Sequence, residues 1–127
     1  MTLIEVIIAV MILSGTLIGL SNFTRRFQHL TNNHDALAIA SELATGRMEV
    51  LKLHRTYSTL VSAFDGTTET SSTAANPSMS QFPGYTRTTA AVRTGPSSTA
   101  DYVTVTVTVT NTATSTTVSK SLVIAAF

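Results

Sequence analysis

The run from Leu3 to Leu20 in MTLIEVIIAVMILSGTLIGL constrains this chain more than any other stretch, because it carries a single charge, Glu5. At close to the ~20 residues a helix needs to cross hydrocarbon, it reads as a membrane-resident segment. A carboxylate at that depth costs roughly 2.5–3.5 kcal/mol on insertion scales, which makes Glu5 a functional candidate. The nearest cation in sequence is the amino group of Met1, and the next are Arg25 and Arg26. Four residues of helix rise about 6 Å, so Glu5 can meet its own amino terminus or that of a neighbouring copy. Pairing with a neighbour sets an axial step, since any other stacking leaves the acid buried and alone. The competing reading is a plain anchor whose acid sits hydrated or protonated near the interface.

Thr2-Leu3-Ile4-Glu5-Val6, followed by a long apolar helix, resembles the start of bacterial type IV pilins and of the related pseudopilins of type II secretion. The resemblance covers about the first twenty-five residues, and the rest is similar only in architecture. It implies a basic leader removed by a prepilin peptidase, N-methylation of Met1, and pairing of Glu5 with an amino terminus during assembly. Two departures bear on the type of subunit: Ser21-Asn22 stands where many major pilins carry a proline, and the chain has no cysteine for a carboxy-terminal disulfide loop.

With 127 residues, the chain has room for one domain and an appendage. A net charge of +1 and only 12% charged residues leave no footprint for nucleic acid. Ser and Thr supply close to a third of the chain, concentrated after Thr67, so solubility rests on hydroxyls; many identical copies could then pack without like-charge repulsion. The absence of cysteine leaves the redox compartment open. The leading run has no basic n-region and no A-x-A site, and it exceeds the usual ~7–15 residues of a signal-peptide core, so it is expected to be retained.

No proline precedes Pro77, which allows one helix from about Thr2 to His54. Ser14, Gly15, Thr16 and Gly19, continuing to Asn22, form its soft region, since each glycine costs about 1 kcal/mol of helix propensity relative to alanine. An equal reading is that these small residues permit close helix contact. Beyond Leu20 the pattern turns amphipathic. Phe23, Phe27, Leu30, His34, Leu37, Ser41, Ala44, Met48 and Leu51 make one stripe, and Ile39, Leu43, Gly46, Val50 and Leu53 a second. The second is expected to lie under a folded head, with neighbouring helices on the other side.

Residues 55–84 carry loop signals: Asp65-Gly66, the hydroxyl run Thr67 to Thr73, Asn76-Pro77 and Phe82-Pro83-Gly84. Thr67, Thr68, Ser71 and Ser72 are candidate O-glycan acceptors, although a plain spacer explains the composition equally well. Residues 85–127 read as sheet. Tyr85 to Arg93 is one strand, Gly95-Pro96-Ser97-Ser98 a turn, and Tyr102 to Thr110 a strict Val/Thr alternation. Asn111 to Thr116 turns into a last strand, Thr117 to Phe127. An antiparallel meander with its valines against the helix follows.

Catalytic and cofactor signatures are missing. His29 and His34 are five apart, off the spacing of a shared helical face, and neither a G-x-S-x-G elbow nor a glycine-rich phosphate loop occurs. Arg25 and Arg26 mark a membrane boundary. Arg47, Lys52 and Arg55, beside Glu42 and Glu49, read as solvated helix charges, with Glu49 and Lys52 a candidate pair.

The expectation is therefore an α+β chain: a long helix over residues 1–54, whose first 22 cross the membrane or line a filament core, a connector over 55–84 and a sheet over 85–127. Its expected role is structural, with no enzymatic activity and no cofactor. The resemblance implies a homo-oligomeric helical filament, drawn from the inner membrane by a pilus assembly machinery and exposed outside the cell. A minor pilin, a pseudopilin or a monomeric membrane-anchored binding module are the alternatives.

Overall fold

The computed structural model describes residues 2–72, 79–96 and 101–126. Met1, Phe127, and the turn signals at Asn76-Pro77 and Ser97-Ser98 lie outside them. The α+β class is found: a 50-residue helix, α1 (Leu3–Lys52), is followed by a 3-10 turn (Tyr57–Thr59) and a short helix α2 (Leu60–Phe64). Strands β1 (Thr67–Thr70), β2 (Tyr85–Thr94), β3 (Tyr102–Asn111) and β4 (Thr116–Ala125) complete the fold. They form one antiparallel sheet in the order β1-β2-β3-β4.

The chain divides into two compact units, Met1–His34 and Asp35–Phe127. In the first, every described residue from Thr2 to Asn32 is exposed. Among the described residues its large apolar side chains are exposed: Leu3 is 82% exposed and Phe23 66%.

The second unit holds the core. Ala36, Ala40, Leu43, Ala44, Arg47, Met48 and Leu51 are the buried positions of α1, spaced by threes and fours as one helical face requires. This face borrows from both expected stripes. Ala44, Met48 and Leu51 belong to the first and Leu43 to the second, while Val50 and Leu53 stay exposed. The second stripe, expected under the sheet, thus supplies Leu43 and Ile39 to the core and shares that place with the first. Alanines on the buried face are the physical reason, because a helix approaches a sheet most closely along its smallest side chains.

Period-two alternation decides the sheet's faces. Val103, Val105, Val107 and Val109 are fully buried, opposite Ile124, Leu122, Lys120 and Val118 of β4. The outward threonines of β3 face hydroxyls across the pair: Thr106 with Ser121 at 3.0 Å, Thr108 with Ser119 at 2.9 Å and Thr110 with Thr117 at 3.2 Å. The turn from β3 to β4 is closed by Asn111, whose Oδ1 accepts from the amides of Ala113 (2.9 Å) and Thr114 (3.1 Å).

Residues 55–84 are more than the expected loop. β1 lies within them and adds a fourth strand, pairing Thr67 with Thr89 and Glu69 with Arg87. Four residues of Thr and Glu carry too little apolar alternation to announce a strand; what places it is charge. Arg87, 2% exposed, donates from Nε to Glu69 Oε2 at 2.7 Å and from Nη1 to the Leu43 carbonyl at 3.2 Å. Its Nη2 is buried without a hydrogen-bond partner among the described residues. Arg47 reaches the other oxygen of Glu69 at 3.4 Å, meets Thr89 and Thr67 at the same distance, and lies 5.0 Å from the centre of the Phe64 ring. Its pKa is lowered by burial and by Arg87, against the opposing pull of Glu69. Arg47 is therefore no solvated helix charge, and that expectation is also corrected. Among the described residues no ion pair joins Glu49 to Lys52.

A second clamp ties the turn after α1 to the sheet. Asp101 accepts from the Tyr57 hydroxyl (2.8 Å) and from Arg93 Nε (2.9 Å), and Arg93 lies over the Tyr57 ring. The hydrogen bonds from Arg93 hold the Asp101 carboxyl below its ordinary range.

Candidate functional site

The amino-terminal unit is the candidate site, and it is built from the helix start upward. Thr2 immediately precedes α1, and Glu5 is the third residue inside it. The Thr2 amide donates to Glu5 Oε2 at 2.9 Å, and the Thr2 hydroxyl lies 3.4 Å from the same oxygen. Thr-x-x-Glu is the capping-box spacing, in which the third-position carboxylate reaches back to satisfy an otherwise orphan amide. The acid also sits where the helix dipole favours negative charge. Glu5 thus has a task within its own chain that the depth of the segment alone does not suggest. The signal was present in the sequence as T-L-I-E directly before an apolar run. Oε1 makes no hydrogen bond or ion pair among the described residues, and Met1, the expected partner, lies outside them.

Past the cap, α1 is long and apolar enough over its first part to cross a membrane. The soft region does not break it. Ser14 and Thr16 turn their hydroxyls onto the carbonyls of Val10 (2.7 Å) and Leu13 (2.8 Å), and Thr24 does the same to Leu20 (2.9 Å). Asn22 is helical and exposed. A Cβ built on Gly15 or Gly19 meets nothing within 4 Å, so neither glycine is required by a contact among the described residues. Phe23 and Phe27 stack with ring centres 6.3 Å apart at 20°, one turn of helix beyond the apolar run.

The candidate glycan acceptors divide. Thr67 is partly buried and occupied, donating to the Phe64 carbonyl at 2.8 Å and accepting from Arg47, so it is withdrawn as an acceptor. Thr68 and Ser72 are exposed and Ser71 half-buried. His54 lies edge-on to Phe64 at 5.1 Å, and its Nε2 is 3.0 Å from the Thr59 hydroxyl. Among the described residues no group of three His, Cys, Asp or Glu side chains could hold a metal ion.

The arrangement presents an exposed apolar helical surface with one acid near its tip. Comparison of the chain with protein-family models, with curated proteins and with solved structures finds no match.

Proposed function

We propose that the chain is the structural subunit of a type IV pilus-like helical filament, assembled through its amino-terminal helix. The observation that carries this reading is a helix whose large apolar side chains are exposed from Leu3 to Leu30, with one acid, Glu5, at its head. Each large aliphatic or aromatic side chain brought into a helical bundle contributes about 1.5–3 kcal/mol relative to water. Identical helices are the simplest partner of matching length. Glu5 Oε1 then takes the Met1 amine of a neighbouring subunit and fixes the step between them. The subunit waits in the inner membrane, where the apolar run spans the bilayer, and reaches the cell surface as part of the filament. A minor pilin or a pseudopilin of the secretion type uses the same helix and differs in the length of the polymer.

The capping box favours one reading of another class: a monomeric membrane anchor in which Glu5 does nothing beyond closing the helix. Glu5→Gln separates the two. Glutamine at the third position still reaches the Thr2 amide but carries no charge. With charge pairing, Glu5→Gln is inserted normally and assembles no filaments, as judged by cryo-electron microscopy of sheared surface material. Abundant filaments from that variant reduce Glu5 to a cap.

A further inference from the structure

The sheet's inner face is closed over its two central strands, β2 and β3, and left partly open along β4. Tyr85, Arg87, Thr89 and Ala91 of β2 and the four valines of β3 are all at most 8% exposed, whereas Val118, Lys120, Leu122 and Ile124 of β4 are only half covered. Two hollows that share Lys52 and Leu122 run along this strand. One, of about 210 Å³, lies between Thr45, Met48 and Lys120; the other, of about 310 Å³, is lined by Leu51, His54 and Ile124. β4 is also the outermost strand, ten residues long and paired only with β3 among the described residues. The opposite edge, β1, has four residues, which is a common way to blunt an edge, whereas a long open edge is a template for pairing.

We propose that this groove receives an extended segment of another polypeptide as a fifth strand, antiparallel or parallel to β4, with apolar residues at alternate positions and a carboxylate facing the lysines. The open main-chain groups of β4 would supply hydrogen bonds, and the two hollows would take alternate side chains on the core side. Charge selects the occupant. Lys120 points to the core side and its Nζ spans to Thr45 Oγ1 at 2.6 Å, while Lys52 lines both hollows. Among the described residues neither lysine forms an ion pair. A second copy is selected against. Two-fold pairing of β4 with itself, with both core faces on one side, brings no carboxylate to the lysines, because Thr116–Ala125 contains no acid, and in the central registers it sets Lys120 opposite or diagonal to its own counterpart, where like charges repel. These residues all lie in the unit Asp35–Phe127, so the inference does not rest on the filament reading.

The test uses the full chain in detergent micelles and two synthetic ten-residue peptides of alternating valine and threonine, one with a central glutamate and one with a central lysine. The acidic peptide should bind about five- to tenfold more tightly by fluorescence anisotropy and slow amide exchange along β4. Lys120→Glu should reverse the order of the two peptides, and Lys52→Glu should do so if the first variant does not fold. Equal binding of both peptides, no protection of β4, or concentration-dependent self-association through that edge each overturns the proposal.

Discussion

Glu69 is one carboxylate serving two buried guanidinium groups, and the sheet's first strand depends on it. Removing one member of such a set leaves charge uncompensated in the interior, which costs about 3–5 kcal/mol. Glu69→Gln should therefore lower stability by that order, measured by urea unfolding of the solubilised chain. Replacing Arg47, Glu69 and Arg87 together with apolar residues of similar volume should recover most of the loss, because a buried ion set is often no better than good packing. The sequence showed part of this arrangement. Arg47 falls four residues after Leu43 and four before Leu51, on the buried face, and Arg87 has the phase of Tyr85 and Ala91. What spacing could not show is that Glu69, eighteen residues from Arg87, closes on both, since β1 has no apolar pattern of its own. Glu5 is the converse case. Its hydrogen bond to the Thr2 amide is written in four consecutive residues, T-L-I-E, whereas a partner in another chain leaves no trace in local spacing.

Among the elements, α1 and the Val/Thr strands were legible because each repeats its own period over many residues. Ten residues of alternation settle which face of β3 is buried, and the absence of proline before Pro77 permits a helix of 50 residues without a break. The buried face of α1 was misjudged because alanines weigh little in a hydrophobic pattern yet mark where a sheet comes close. Gly15 and Gly19 test the helix itself. With no contact near either position among the described residues, Gly15→Ala with Gly19→Ala should raise helix stability by about 1 kcal/mol per site while leaving the fold unchanged. Filaments of the double variant should still form and should stretch less under an optical trap. Unchanged extension would remove the soft-region role, and loss of filaments would show that the glycines are needed for close helix contact.

The molecule as a whole divides its tasks between two compact units. Every buried apolar residue among those described lies at or beyond Ala36, so the fold's cohesion belongs to the second unit. A chain starting at Asp35 should therefore be soluble without detergent and unfold in a single transition, monitored by circular dichroism. Aggregation or a broad, multi-step melt would mean that the first unit contributes to the stability of the second.

The threonine side of the sheet has one more consequence. From Thr68 and Thr70 through Thr86, Thr88, Thr104, Thr106, Thr108 and Thr110 to Thr117, Ser119 and Ser121, the outward rows hold alcohols, with Ala90, Val92 and Val123 among them, and no acid or base. Alcohols neither gain nor lose protons between mild acidity and mild alkalinity, and dissolved ions have nothing there to screen. A wall of this kind keeps the same character in brackish, acidic or fresh surroundings, whatever the medium does to the rest of the chain.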